Sequence, residues 1–226
     1  MSTGDSHAAK RRVFLVDDHP LVREWLTTLI NQQTDLAVCG EAGDAPEALS
    51  AIAKLQPEAA VIDVTLASGS GIELIKDLRR CCPRLAIVVL SMHDEALYAE
   101  RAMRAGARGY VTKRETTKKI VAAIRKVLEG GIYASEHFAA LMAEKLMDGR
   151  SAAESSPVAG FSDRELEVFK MLGSGQETRQ IGESLGISMK TVQVYCARIK
   201  DKLGVKTMNE LLREAVRWVE SQNSAA

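Results

Sequence analysis

The chain of 226 residues contains 30 basic and 30 acidic side chains and is 46% hydrophobic and 27% charged. This composition is ordinary for a globular protein. The zero formal net charge excludes a uniformly basic coat for nucleic acid but allows a local basic face. No apolar run approaches the roughly 20 residues of a membrane span, and the polar N-terminus lacks the apolar segment of a signal peptide. We therefore expect a cytoplasmic protein that does not contact a membrane.

The first 130 residues or so alternate short apolar runs with amphipathic stretches. The apolar runs are rich in β-branched residues, as buried parallel strands are, and lie at residues 13–16, 36–39, 59–64, 85–90 and 109–111. The stretches between them repeat apolar residues at helical spacing. Five strands that alternate with five helices predict an α/β domain with a doubly wound, flavodoxin-like parallel sheet. In such a sheet the functional site lies beyond the carboxyl ends of the strands.

The rest of the chain carries no strand pattern. Residues 134–147 can be helical, and the small polar residues that follow, up to Gly160, predict a flexible linker. From Phe161 onward, amphipathic helices are broken by glycines, which predicts a compact all-helical unit. We expect a first domain over residues 11–131, a linker helix and linker over residues 132–160, and a second domain over residues 161–226.

Five polar residues of the first domain follow predicted strands directly. Asp17 and Asp18 end the first strand, Asp63 the third, Ser91 the fourth and Lys113 the fifth. Because these ends meet at one edge of the sheet, we expect the five side chains to share one mouth. Clustered carboxylates attract a hard cation such as Mg²⁺. One carboxylate can then attack phosphorus while the metal and the lysine neutralise the developing charge and the serine hydroxyl donates a hydrogen bond.

The second domain has capping residues at the start of its first and third helices and a turn between its second and third helices. Ser162 and Glu165 have the spacing of a capping box. A helix over residues 178–185 ends before Gly186, which allows a sharp turn, and Ser188 can cap the next helix. The helix over residues 189–203 has a buried stripe at Val192, Cys196, Ile199 and Leu203. Its opposite side is largely basic and polar, with Lys190, Gln193, Val194, Ala197, Arg198 and Lys200.

This basic helix fits the major groove of DNA, where the N-terminal half of a recognition helix contacts base edges. Gln193 can read adenine, and Val194 can meet a thymine methyl group. The remaining expected contacts, mainly to phosphates, are Thr178, Lys190, Thr191, Tyr195, Ala197, Arg198 and Lys200. A basic helix alone would fit a solvated face of a protein-interaction domain equally well. The combination of helix, glycine turn and capped basic helix favours DNA.

Residues 11–130 resemble the receiver domain of two-component response regulators, through the motifs VDDHPLVR, DVTLASGSGIEL, LSMHDE and GARGYVTKRE. The resemblance implies that Asp63 is the phosphoacceptor. It implies that Mg²⁺ is held by Asp17, Asp18, Asp63 and the main-chain carbonyl of Thr65. The switch residues that it implies are Ser91, Lys113 and Tyr110. The family usually has proline where this chain has Ala67, which predicts a looser loop after the phosphoacceptor. We interpret His19 as a helix-start residue and His93 as an exposed loop residue.

Residues 161–219 resemble the NarL/FixJ (LuxR-type) helix-turn-helix domain, through FSDRELEVFKML, IGESLGIS, KTVQVYCARIKDKLGV and ELLREAVRWV. The resemblance implies four helices, the last of which, over residues 210–219, often mediates dimerisation in the family. Gln193 and Tyr195 replace residues common in the family, lysine and histidine, which leaves the operator sequence open.

The two resemblances together predict a transcriptional regulator that is not an enzyme beyond its own phosphorylation and dephosphorylation. A sensor histidine kinase would phosphorylate Asp63 with Mg²⁺ as cofactor, and the receiver would then control dimerisation and binding to double-stranded promoter DNA. Three alternatives stay open: a receiver-linked module that binds protein, a Mg²⁺-dependent phosphatase, and a constitutive DNA binder. The absence of a second general acid–base carboxylate beside Asp63 argues against the phosphatase.

Overall fold

The computed structural model describes residues 9–66, 69–92, 95–114, 117–147, 158 and 160–224. The chain divides into two compact units, Met1–Leu141 and Met142–Ala226. No helix among the described residues is long and apolar enough to cross a membrane. Ala67 and His93, two positions that the sequence singles out, lie outside the described residues, as do residues 148–157 and 159 of the expected linker.

The first unit is an alternating α/β structure. Its elements, in chain order, are β1 (Arg11–Val16), α1 (Pro20–Asn31), β2 (Leu36–Ala42), α2 (Ala45–Leu55), β3 (Ala59–Ile62), β4 (Thr65–Leu66), β5 (Gly69–Ser70), α3 (Gly71–Cys81), β6 (Ala86–Ser91), α4 (Glu95–Ala105), β7 (Gly109–Thr112), α5 (Thr117–Leu128) and α6 (Glu136–Met147). Helix α6 crosses the division between the two units.

Five of the strands form one parallel sheet in the order β2-β1-β3-β6-β7. Strand β2 lies on one side of β1, and β3, β6 and β7 follow one another on the other side. This order confirms the predicted doubly wound sheet. Strands β3 and β6 are buried along their whole length, as their continuous apolar sequence requires. Side chains of α1 and α5 pack with the sheet in one apolar core, and α3 packs between α2 and α4.

The third strand is shorter than the sequence predicts. Residues 59–64 read as one apolar run, but β3 ends at Ile62. The chain then forms a small antiparallel ladder, in which Thr65 pairs with Ser70 and Leu66 with Gly69. Along the chain, this ladder follows β3 and precedes α3, and it turns the chain directly after Asp63. Sequence periodicity did not indicate it because each of its strands has only two residues.

The second unit contains α7 (Asp163–Gly173), α8 (Thr178–Ser184), α9 (Met189–Leu203) and α10 (Met208–Ser224). The capping box of α7 is confirmed, since the Glu165 amide donates to Ser162 Oγ at 3.3 Å and the Ser162 amide donates to Glu165 Oε2 at 2.7 Å. Gly186 has a φ of +63°, as the sharp turn between α8 and α9 requires. Helix α10 extends beyond the predicted residues 210–219 at both ends.

Candidate functional site

The carboxyl ends of β1, β3, β6 and β7 bring the expected acidic site together. Asp17 and Asp63 follow β1 and β3, and both are almost fully buried, with exposed fractions of 2% and 5%. Lys113 follows β7, and its Nζ lies 2.6 Å from Asp17 Oδ2 and 2.5 Å from Asp63 Oδ2. Ser91, at the end of β6, is fully buried, and its carbonyl accepts a hydrogen bond from the Lys113 amide at 2.7 Å. The lysine therefore bridges two buried carboxylates from separate strands.

The surroundings of Asp63 and Lys113 shift the pKa of each of these two groups. Burial raises the pKa of Asp63 to about 6, and the hydrogen bond and charge of Lys113 limit the rise. Burial alone would lower the pKa of Lys113, but its hydrogen bonds to Asp17 and Asp63 outweigh this and raise the pKa. The ammonium group is thus held charged, close to the oxygen atoms of Asp63.

The same edge of the sheet carries oxygen atoms that suit a divalent cation. One ligand atom from each of Asp17, Asp18, His19 and Asp63 lies within 4.8 Å of the others. Asp18 Oδ1 is buried and makes no hydrogen bond among the described residues. Its distance to His19 Nδ1 is 2.6 Å, but the pair lacks hydrogen-bond geometry. An acidic cluster with an unsatisfied carboxylate oxygen fits Mg²⁺, which prefers oxygen ligands.

His19 stands at the start of α1 and also lies beside the acidic cluster, and the sequence predicted only the first of these two positions. It is the N-cap residue of α1, as predicted, with Pro20 in the first turn. Its amide donates to Asp17 Oδ1 at 2.9 Å, and its exposed ring reaches Asp18. The imidazole therefore lies at the rim of the acidic cluster, although nitrogen is a poor ligand for Mg²⁺ compared with carboxylate oxygen.

The Thr65 backbone lies beside the Asp63 carboxylate, whereas the Tyr110 side chain is buried. The amide of the exposed Thr65 donates to Asp63 Oδ1 at 3.3 Å, which positions the backbone of β4 against the carboxylate. Tyr110, in β7, is only 1% exposed, and its amide donates to the Tyr133 carbonyl at 3.0 Å. The ring is therefore inside the first unit in this structure.

Gly71 supports Asp63, although the sequence did not predict this role. A Cβ atom at Gly71 would lie 1.9 Å from the carbonyl oxygen of Asp63, a distance that no side chain can occupy. The Gly71 amide donates a hydrogen bond to the carbonyl of Val64 at 2.8 Å. This bond holds the start of α3 against the residue that follows Asp63. The only signal in the sequence was the glycine- and serine-rich loop that contains this residue.

The predicted DNA-contacting residues lie mostly on the exposed side of α9. The helix has the predicted bounds, and Ser188 Oγ accepts a hydrogen bond from the Thr191 amide at 3.1 Å. Val192, Cys196 and Ile199 are buried, and Leu203 is half-buried. The exposed expected contacts are Lys190, Gln193, Val194, Ala197 and Arg198, and the half-buried ones are Thr178, Thr191, Tyr195 and Lys200. Gly182 of α8 allows a close approach to the chain just before α9, since a Cβ there would lie 2.8 Å from the Ile187 carbonyl oxygen.

Comparison with known families assigns both units. Residues 13–125 match the response regulator receiver domain, and residues 159–215 match the bacterial regulatory proteins of the luxR family. The chain belongs to the LuxR-type response regulators. It is accordingly a DNA-binding transcriptional regulator of a two-component system that is controlled by phosphorylation, which confirms the family and function predicted from the sequence.

Relatives of this LuxR-type response regulator match it along most of its length. The transcriptional regulatory protein MctR of Rhizobium johnstonii is 34% identical over 92% of this chain and 94% of the relative. The transcriptional activator DevR/DosR of Mycobacterium tuberculosis is 37% identical over 86% of this chain and 89% of the relative.

Solved structures give the same assignment. RcsB from Salmonella enterica serovar Typhimurium, bound to a promoter in the presence of the phosphomimetic BeF₃⁻, is 25% identical. It covers 91% of this chain, which in turn covers 98% of the RcsB chain, with a TM-score of 0.62. A two-component response regulator of the LuxR family from Aurantimonas sp. is 37% identical, with a TM-score of 0.58. That match covers 62% of this chain and 99% of the Aurantimonas chain.

Proposed function

We propose that Asp63 is the phosphoacceptor and that its phosphorylation controls DNA binding through α9. The observation that carries this proposal is the bridge from Lys113 to Asp17 and Asp63 at the carboxyl edge of the sheet. The bridge holds a cation beside a buried nucleophilic carboxylate, and the same cation can later pair with a phosphoryl oxygen.

The step is a transfer of a phosphoryl group to a carboxylate. An oxygen of Asp63 attacks the phosphorus of a phosphorylated histidine on a sensor kinase, the phosphorus–nitrogen bond breaks, and the imidazole leaves with the electron pair. Asp17, Asp18, Asp63 and the carbonyl of Thr65 would hold Mg²⁺, which when bound neutralises charge on the phosphoryl oxygens. Lys113 adds a second positive charge at Asp63. Apart from this step and the later hydrolysis of the aspartyl phosphate, in which water takes up the phosphoryl group and the Asp63 carboxylate is restored, the protein is not an enzyme.

The switch residues connect this step to the rest of the receiver. The Ser91 hydroxyl donates a hydrogen bond to the new phosphoryl group. The Lys113 ammonium group moves toward the same phosphoryl group, and the Tyr110 ring changes its position. The receiver thereby shifts between two populated states. RcsB has been solved with promoter DNA and a phosphomimetic, which supports a link between receiver state and DNA for this chain as well.

On the DNA side, we infer that two copies of the chain bind one promoter as a homodimer. Gln193 and Val194 read base edges, and the basic residues of α9 contact phosphates. We further propose that the receiver spans residues 11–131, that residues 132–160 connect the units, that the DNA-binding domain spans residues 161–226, and that the protein works in the cytoplasm.

The mass of the intact protein tests the phosphoacceptor. We expect incubation with acetyl phosphate and Mg²⁺ to add one phosphoryl group to the wild type and none to Asp63→Ala. Asp77→Ala, which removes a half-exposed carboxylate on α3, is the matched control and should gain the same mass as the wild type. An equal gain in Asp63→Ala would refute the assignment.

Selection of binding sites from random DNA tests α9. We expect Gln193→Ala to lose preference at the base pair that Gln193 reads, at a cost of about 1–3 kcal/mol in discrimination. Lys190→Ala should weaken binding to all sequences and reduce its dependence on salt. If Gln193→Ala selects the same sequences as the wild type, the proposed orientation of α9 is wrong.

A further inference from the structure

The receiver unit contains a cavity at the edge of its sheet opposite Asp63. The cavity has a volume of about 740 Å³. Residues at the amino ends of the strands line it, including Arg11 of β1, Glu58 before β3 and Arg108 before β7. The carboxyl ends of the same strands carry the phosphoacceptor site, so the two sites are separated by the length of the sheet.

The wall of this cavity has a strong excess of positive charge. Four arginines line it: Arg11, Arg79, Arg84 and Arg108. Among the described residues none of the four forms an ion pair, whereas Arg80, the neighbour of Arg79 in α3, pairs with Asp77 at 3.2 Å. Glu58 is the single acidic residue among the described residues that line the cavity, and its Oε2 already accepts a hydrogen bond from the Arg12 amide at 2.7 Å.

Two of the guanidinium groups are held in place by backbone carbonyls. Nε and Nη2 of Arg79 donate to the Gly106 carbonyl at 2.8 and 2.5 Å, and Nη1 donates to the Pro83 carbonyl at 2.9 Å. Arg108 Nη1 donates to the Gly130 carbonyl at 2.6 Å. Burial lowers the pKa of Arg79, and the charge of Arg108 lowers it further. The fold therefore keeps two repelling cations close together and fixed, and neither forms an ion pair with a carboxylate in the described part of the chain.

The remaining lining is partly apolar. Ile52, Leu85, Val127 and Leu128 contribute to the wall. The volume is in the range of small-molecule sites, which are mostly apolar with a few fixed polar groups, and exceeds what a single inorganic ion needs. A guanidinium group binds carboxylates and phosphates through paired hydrogen bonds.

We propose that this cavity binds a small organic anion with two or more negative charges, of the phosphate ester or polycarboxylate class. The anion would pair with the fixed arginines and place its carbon skeleton against the apolar wall. This binding site is independent of the phosphoryl group on Asp63, and it would give the receiver a second ligand, at the other end of its sheet.

Calorimetric titration of the full chain with ADP and, separately, with citrate tests the proposal. We expect at least one of the two to bind with a stoichiometry of one in Mg²⁺-free buffer, and more weakly as salt is added. Binding of ADP alone assigns the phosphate ester class, and binding of citrate alone assigns the polycarboxylate class. If neither binds, the proposal is refuted.

Single substitutions locate the bound anion. Arg108→Gln and Arg84→Gln should each weaken binding about tenfold or more, since each removes a charged hydrogen-bond donor. Arg80→Gln removes an arginine of the same helix as Arg79 that does not line the cavity, and it should bind as the wild type does. Equal binding by Arg108→Gln, Arg84→Gln and the wild type would place the anion elsewhere and refute the site. Lys113→Gln, titrated under conditions where its circular dichroism matches that of the folded wild type, distinguishes the phosphoacceptor site, because loss of binding by this folded variant would also refute the cavity.

Alkylation provides a measurement that does not depend on any variant. Cys82 lines the cavity, and Cys39 does not. We expect a saturating concentration of the anion that binds to slow the alkylation of Cys82 and to leave that of Cys39 unchanged. Unchanged alkylation of Cys82 under saturation would contradict binding in the cavity.

Discussion

The acidic site of the receiver and the exposed side of α9 are built in opposite ways. Asp17, Asp63 and Lys113 come from three strands that are distant in sequence, and their charges are almost buried. The side of α9 comes from successive turns of one helix, and its charges are in water. Charges in the first region therefore depend on one another and on the fold, whereas charges in the second act almost separately. This difference predicts which substitutions alter stability and which alter only binding.

The largest effect is expected for Lys113→Met, which leaves two buried carboxylates without their cation. Removal of one partner of a buried ion pair costs about 3–5 kcal/mol, so we expect a loss of this size in the first unit at neutral pH without Mg²⁺. Hydrogen exchange of the β3 amides measures it.

The matched control for this substitution is Lys190→Met, which removes an exposed charge from α9. It should change the stability measured at the α9 amides by less than about 0.5 kcal/mol. Equal losses in the two variants would contradict the contrast between buried and exposed charges.

Asp63→Asn is expected to have the next largest effect, and its sign depends on pH. The pKa of Asp63 is about 6 in the folded protein, against 3.8 for an ordinary aspartate. Between these values the folded state binds more protons than the unfolded state. The wild type without Mg²⁺ therefore loses about 2 kcal/mol of stability as pH rises from about 4 to about 6.

The asparagine of Asp63→Asn has no carboxyl group that could bind a proton in this pH range. Its stability relative to the wild type should therefore be about 2.4 kcal/mol more favourable at pH 7 than at pH 4. Hydrogen exchange of the β3 amides, corrected for the intrinsic effect of pH, provides the comparison. A difference between variant and wild type that stays constant over this pH range would show that burial does not raise the pKa of Asp63.

Glycine substitutions test the backbone contacts of both regions. Gly71→Ala should cost about 1–3 kcal/mol, because the new Cβ overlaps the Asp63 carbonyl and the chain must move. The rate of mass gain with acetyl phosphate should fall as Asp63 shifts. Gly182→Ala, whose Cβ would lie 2.8 Å from the Ile187 carbonyl oxygen, should cost less and leave this rate unchanged.

Gly160→Ala serves as the control for both glycines, since no atom of the described residues beyond its chain neighbours lies within 4 Å of the position of its Cβ. It should alter neither stability nor phosphorylation. If Gly71→Ala is phosphorylated as fast as Gly160→Ala, the contact between α3 and Asp63 does not position the carboxylate.

The smallest effect is expected for Ser188→Ala, which removes the N-cap of α9. Loss of a cap costs about 1 kcal/mol, and faster hydrogen exchange should be confined to the first turn of α9. Ser184→Ala, at the end of α8, is the control and should not change exchange in α9. A global loss of protection in the second unit would show that the cap supports more than this one turn.

The accuracy of the sequence-based predictions follows the same contrast. The bounds of α9 and the caps at Ser162 and Ser188 were predictable because capping and helical periodicity are local signals. The convergence of Asp17, Asp63 and Lys113 was also predictable, because parallel strands end at one edge. The bridge from Lys113 to both carboxylates was not, since it depends on side-chain positions after folding.

Other features left no usable pattern in the sequence. Strand β3 ends two residues earlier than its apolar run because the small β4–β5 ladder redirects the chain. Gly71 is required by a contact with the backbone of Asp63 that appears only in three dimensions. The arginine-lined cavity was missed for a similar reason, because its arginines lie in β1, in α3 and just before β6 and β7, and only the folded chain brings them together.

The central claim is that phosphorylation of Asp63 controls DNA binding, and fluorescence anisotropy with a selected DNA site tests it most directly. With acetyl phosphate and Mg²⁺, we expect the wild type and Asp77→Ala to bind at least about fivefold more tightly, within the usual range of coupling between two sites. Asp63→Ala should show no change. An unchanged affinity in fully phosphorylated wild type, or an equal response in Asp63→Ala, would contradict the account.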